Sequence, residues 1–244
     1  MIKIITWITK IIVLVITALF FSGCHFDYNS KKGSGNITTE TRTLTKKFTG
    51  VDVSSAIELT IEQSDKTEIL VEADDNLQSS IITEVKNGML VISSEPYLNI
   101  RNGTRKVKVK LPIIENLEAS SASSIHSLNT IKGSQIYIKA SSAAQINLDL
   151  EMESINCKSS SAANLKLKGL AFKLDAQASS GSTTDCSKLL TNEVIADASS
   201  GSSIIVHPIV SLKADASSGA SINYNSVPKK FEKNSSSGGS INQD

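Results

Sequence analysis

Aromatic residues are scarce in this sequence, 5% of 244 positions, and the single tryptophan, Trp7, falls within the first ten residues. The rest is rich in Ser, Ala, Asn and β-branched residues, a composition that suits stacked strands rather than a core of large rings. Three cysteines and three histidines are too few and too scattered to complete the four ligands of a zinc site. Charge of one sign is also missing: 25 basic residues stand against 24 acidic ones. Such a chain offers no clustered basic surface, so nucleic acid is excluded as a partner, and no cofactor is implied.

Catalytic constellations are missing as well. His25, His126 and His207 are dispersed, and no serine stands at a nucleophile elbow. A base, a neighbour to tune it and a pocket do not converge, and the chain reads as non-enzymatic.

What is present begins with Lys3 and Lys10 around an apolar run from Ile11 to Phe21, closed by Ser22-Gly23-Cys24. A transmembrane helix needs about 20 apolar residues. Here Thr17 cuts the run and small residues stop it, as in a signal peptide over 1–23. Ser-Gly-Cys at that place resembles the lipobox of bacterial lipoproteins, which implies lipidation of Cys24 and a membrane partner through the lipid anchor. The polar residues 24–40 then read as a flexible tether, and 41–244 as the folded domain. Export implies an envelope location, on an outer membrane facing the periplasm or the cell surface.

Alternating runs at Ile57–Ile61, Ile69–Ala73, Ile81–Lys86, Met89–Ser93 and Val107–Leu111 predict strands, with Asn87-Gly88 as a type I′ hairpin turn. From Ala119 a Ser-Ser-Gly or Ser-Ser-Ala motif recurs, starting at Ala119, Ala140, Ser159, Ala178, Ala198, Ala216 and Ser235, one repeat about every 19 residues. Units this short cannot bury a core alone and must stack. The prediction is an all-β fold, a single-stranded parallel β-helix with regular repeats over 118–242, about 34 Å long at the ~4.8 Å strand spacing. A right-handed winding is expected from the chirality of parallel crossovers.

Two inward ladders follow from period-2 alternation. One contains Ile136 and Ile138, Ile155 and Cys157, Leu174 and Ala176, Val194 and Ala196, Leu212 and Ala214. The other runs Ile125, Ile146, Leu165, Ile204, Ile222 and Ile241, with Thr184 its one exception. Cys157 and Cys186 fall on different ladders, so they are expected to be separate buried thiols rather than a disulfide. Outside, the position before each repeat reads Glu118, Lys139, Lys158, Gln177, Asp197, Asp215, Asn234. Asp197 and Asp215 are therefore neighbours and the candidate metal ligands, although two carboxylates fall short of the six to eight oxygens calcium takes.

Several segments resemble those of a bacterial envelope family known as auto-transporter adhesins with a head GIN domain. They are Phe48-Thr49-Gly50-Val51-Asp52-Val53, Ala73-Asp74-Asp75-Asn76-Leu77, Val85-Lys86-Asn87-Gly88 with Leu90, and Gly239-Ser240-Ile241-Asn242. The resemblance runs from Phe48 to Asn242. It implies a parallel β-helix and carries over no catalytic residues. The partners expected are a glycan or an envelope protein, met by the polar strand faces. A second copy is the other candidate, through the edge of the last repeat, unless Lys229, Lys230, Glu232 and Lys233 protect that edge by charge. An enzyme acting on polysaccharides ranks third.

Overall fold

In the computed structural model, residues 2–21 and 30–244 are described. The first of these segments is a helix, α1 (Ile2–Phe21). Its described side chains, 6–17, span about 18 Å, and among the described residues no helix is long and apolar enough to cross a membrane. Cys24 and His25 lie outside the described residues.

The domain opens on β1 (Ser30–Lys32) and β2 (Ile37–Thr41). The first pairs in parallel with β8 (Asn99–Arg101), and the second is antiparallel to β5 (Glu68–Asp74). The expectation of a flexible tether through residue 40 is therefore corrected for 30–40. What holds this segment is the Asp74-Asp75-Asn76 turn. The buried Asp74 carboxylate accepts the Gly35 N–H at 2.5 Å and the Thr104 N–H at 2.6 Å. Asn76 accepts from the Ser34 N–H at 3.1 Å and donates to the Lys32 carbonyl at 2.9 Å. Ser34, Asn36 and the Asn76 amide hold the Asp75 carboxyl below the usual range by hydrogen bonding. A stretch with little apolar pattern is thus ordered by polar contacts from residues some 40 positions away.

The next strands build the first turns of the solenoid out of sequence order. β3 (Gly50–Val53) lies between β7 (Met89–Ser94) and β10 (Asn116–Ala119), parallel to both. β4 (Glu58–Gln63) lies likewise between β9 (Arg105–Leu111) and β11 (Ser124–Ser127). The bottom is closed by antiparallel strands. β5 pairs with β9, and β6 (Ile81–Lys86) forms a hairpin with β7 through Asn87 (φ 51°) and Gly88 (φ 77°), as the Asn-Gly pair predicts.

Above this base the rungs stack in sequence order. β12 (Ile131–Ala140), β13 (Gln145–Ser159), β14 (Asn164–Ala178), β15 (Thr183–Ala198) and β16 (Ser203–Ala216) pair in parallel, each with the next. The last rung ends in β17 (Ser221–Tyr224), β18 (Lys230–Ser235) and β19 (Ser240–Gln243). The result is a parallel β-solenoid of about seven turns spaced by about 19 residues. One continuous aliphatic core fills it, and the predicted ladders from Ile136 to Ala214 and from Ile125 to Ile222 are buried; Ile241 packs at the end of the second, partly exposed.

Each corner has two successive residues at positive φ, such as Ser161 (51°) with Ala162 (60°) and Ser200 (53°) with Gly201 (69°). The Ala163 N–H closes the turn on the Ser160 carbonyl at 3.1 Å, and the Ala162 N–H reaches the Ser180 carbonyl of the next rung, also at 3.1 Å. The peptide ladder therefore continues around the bend. Ser54-Ser55-Ala56 makes the same corner, with Ser55 at 64° and Ala56 at 53°, so the motif starts 66 residues before Ala119. The interval hides it from a search for a 19-residue period.

Thr184 breaks the aliphatic column opposite Ser159, which breaks the facing one where Ala119, Ala140, Ala178, Ala198 and Ala216 stand on the other regular rungs below the last. The Ser159 hydroxyl lies 2.8 Å from Thr184 Oγ1 and 2.9 Å from Ser182 Oγ, all three buried. Alternation then brings the next inward pair together. Cys157 and Cys186 are both buried and unpaired, as expected, but they are not apart. The Cys157 side chain contacts that of Cys186, and this contact followed by burial pushes the Cys186 thiol well up, so Cys186 stays protonated at neutral pH. Ser159→Ala is expected to cost about 1–2 kcal/mol, because the Thr184 hydroxyl is left buried without its partner, and Thr184→Val to cost less, because Ser159 keeps Ser182 Oγ at 2.9 Å. The double variant should cost less than the two single losses combined, as Ser182 keeps its 2.8 Å bond to the Ser179 carbonyl. A double-mutant cycle by urea unfolding measures the coupling.

The last rung is unlike the others. Lys233 occupies the register position of Ala214, and Phe231 that of Leu212. A charge at an inward position is a device that blunts a strand edge against further pairing. The Phe231 ring leans on Tyr224 with centroids 5.0 Å apart, and the Lys233 ammonium sits 5.8 Å from the Phe231 centroid.

Candidate functional site: a charged groove across the rungs

The polar positions preceding each corner form a straight ladder on the outer face. Strand register places Asp52, Glu118, Lys139, Lys158, Gln177, Asp197, Asp215 and Asn234 on successive rungs. From Lys139 to Asp215 this ladder is one wall of a groove of about 490 Å³, and Ser160, Ser179, Ser199 and Ser217 at the corners are the other. Five rungs at the ~4.8 Å strand spacing make it roughly 19 Å long.

Its charges are segregated, with lysines at one end and aspartates at the other. Lys139 reaches Glu118 at 3.6 Å, whereas Lys158 has no carboxylate partner among the described residues. Asp215 accepts from Asn234 Nδ2 at 3.1 Å. Asp197 and Asp215 are register neighbours, as the spacing predicts. Desolvation first, then the negative charges of Asp175 and Asp215, raise the Asp197 pKa, partly offset by Lys213. Burial and Glu118 do the same to Asp52 at the far end. Among the described residues no group of three or more His, Cys, Asp or Glu side chains converges as a metal site.

The sequence reading missed the corner serines as a wall, and it missed Asp175 as the third carboxylate. Asp175 stands two residues before Gln177, which donates to it at 3.3 Å. The alternation that revealed the first outward ladder also contains this second one, since outward positions repeat every two residues. The two described histidines are not brought together. His126 on β11 pairs with Thr60 at 2.8 Å, and three strands separate it from His207 on β16.

A raised carboxyl pKa means that the folded state binds this proton more tightly than the unfolded chain. Its stabilising contribution is complete below the ordinary value of 3.8 and is lost as pH rises through the folded value. At neutral pH the charge is therefore a cost. Asp197→Asn is expected to raise the melting temperature at pH 7 slightly, on the order of 1 °C given solvent screening. The gain should vanish as pH approaches 3.8, and melting curves across that range check it.

A stacked parallel solenoid with a long polar groove defines a class of scaffold, in which regular rungs present side chains at fixed intervals. Within that class the chain belongs to the family described as "Putative auto-transporter adhesin, head GIN domain", whose model matches residues 47–228. Its fold is similar to the crystal structure of a "putative adhesin" from Bacteroides fragilis (TM-score 0.82, 20% identity, 88% of this chain and 100% of that one). It is also similar to a "Putative lipid binding protein" from Parabacteroides distasonis (TM-score 0.75, 18% identity, 88% and 100%). A third likeness is to a "putative adhesin" from Parabacteroides merdae (TM-score 0.68, 18% identity, 88% and 99%). No curated protein sequence matches.

Proposed function

We propose that this protein is a non-catalytic binding module of the bacterial envelope, held to a membrane by lipid on Cys24, whose ligand is an extended polar polymer laid along the groove. A glycan chain is the first candidate and a peptide segment the second. The observation that carries this reading is the groove crossing five rungs, with Lys158 lacking a carboxylate partner among the described residues at one end and the mutually repelling Asp197 and Asp215 at the other. Groups left electrostatically unsatisfied in a concave site gain from a ligand of matching polarity. Family membership and the adhesin descriptions of similar folds point the same way. Assembly through the last rung is the weaker reading, because Lys233 sits where a further rung would need a small apolar residue.

A glycan array probed with the protein tests the proposal. Retention of a glycan by the native protein, and its loss in a Lys158→Ala/Asp197→Ala variant that still melts cooperatively, is expected. Equal retention by the two would remove the groove from the binding reaction, and product release from a retained glycan would revive catalysis.

A further inference from the structure

Between β2 and β3 the chain crosses residues 42–49 without regular structure and folds over the β4–β5 turn. The two enclose a cleft of about 820 Å³, separate from the groove. That volume is in the range of sites that take a ligand of drug-like size.

Three features of its lining agree. The floor is apolar: Leu44 and Phe48 pack on the core, Ile69 is buried beneath, and Ile113 at the rim is 54% exposed. The polar lining is strongly cationic, with Arg42, Lys46, Lys47, Lys66 and Lys110 against one carboxylate, Glu68. Glu68 is engaged by Lys110 at 2.8 Å, and Arg42 is engaged by Glu40 at 3.0 Å. Lys46, Lys47 and Lys66 are left with no carboxylate among the described residues. Third, no backbone N–H or C=O of residues 43–48 has a backbone partner among the described residues, so this strip of the wall presents peptide groups for bonding.

A neutral glycan would leave the excess positive charge unanswered, and a simple polyanion would leave the apolar floor wet. We infer that this cleft binds an amphiphilic anion, an apolar body carrying one carboxylate or phosphate. The head group sits among Lys46, Lys47 and Lys66 and the free peptide N–H groups, and the tail lies on Leu44, Phe48 and Ile113. Such a head group can come from a free fatty acid or from an anionic membrane lipid.

Calorimetric titration of the full chain with decanoate tests this, with acetate and 1-decanol as probes that carry only the charge or only the tail. Decanoate should bind roughly tenfold or more tightly than either. Lys46→Gln/Lys47→Gln/Lys66→Gln should weaken decanoate by about tenfold. Lys173→Gln/Lys188→Gln/Lys229→Gln, with the same change in net charge away from the cleft, should leave it within about twofold. Because both variants keep α1, uptake of decanoate by that helix cancels in the comparison. Decanoate binding no tighter than 1-decanol, or the same loss in both variants, overturns the inference. Given decanoate binding, vesicles of phosphatidylglycerol and phosphatidylcholine decide the source. Capture that depends on the three cleft lysines upholds the site with a lipid head group as ligand, and no capture upholds it with a free amphiphile.

Discussion

Truncating Ile204 to alanine is expected to cost about 2–5 kcal/mol of folding stability, the range for a large aliphatic residue removed from a close-packed interior. Ile204 is fully buried and stands in register between Thr184 on one rung and Ile222 on the next. The peptide ladders on both sides fix the rung spacing, so the strands cannot close around a missing side chain. The cavity should therefore persist, and the cost should fall in the upper half of the range. Ser203 points outward on the same strand, half-buried, with its hydroxyl 3.3 Å from that of Ser221. Ser203→Ala should change stability by less than about 0.5 kcal/mol. Urea unfolding of both variants checks the pair, and losses of similar size would sink the stacked column.

A comparable loss is expected at Gly169, for a backbone reason. Its φ is +113°, a conformation that L side chains rarely adopt, and an added Cβ would stand 2.1 Å from the Leu150 carbonyl oxygen on the rung below. That oxygen belongs to the paired backbone of β13 and cannot turn aside as a side chain could. Gly169→Ala should cost about 3 kcal/mol or more, from strained dihedrals together with a forced separation of rungs. Gly201 provides the contrast. Its φ is +69°, nothing lies within 4 Å of the added Cβ, and Ala122, Ala143 and Ala162 already occupy the matching corner position. Gly201→Ala should cost about 1–2 kcal/mol. Thermal melts of the two variants, with Gly169→Ala the lower by several degrees, would bear out the difference.

The regular rungs were legible because burial there acts on every second residue, and a 19-residue period repeats the signal until chance cannot account for it. Thr184 shows where that logic stops. A polar residue in an aliphatic column looks like a defect until Ser159 is seen opposite it, and that partner is 25 positions away. The nearness of Cys157 and Cys186 was hidden for the same reason. Inward ladders were read separately, whereas side chains from two faces meet in the core. Order in residues 30–41 comes from the Asp74 and Asn76 side chains, which leave no periodic trace. The groove was half visible: its ladder of charges follows from alternation, but the serine wall depends on how the corners project.

The misplaced first turns set the order in which the molecule can assemble. β3 pairs with β7 and β10, which lie 39 and 66 residues further along the chain, while neighbouring rungs above are only 17–21 residues apart. A chain emerging from its amino end would hold β3 without either neighbour until residue 92 has followed and β4 until residue 111, and their second neighbours would be complete only at residues 119 and 127. Closing the shorter intervals between β12 and β16 costs about 0.6–1 kcal/mol less chain entropy than closing those of 39 and 66, which favours nucleation in the middle of the solenoid with growth toward both ends. On that order the two central strands of the base, β3 and β4, gain their second neighbours only after more than half of the stacked rungs' register has been set by local closure.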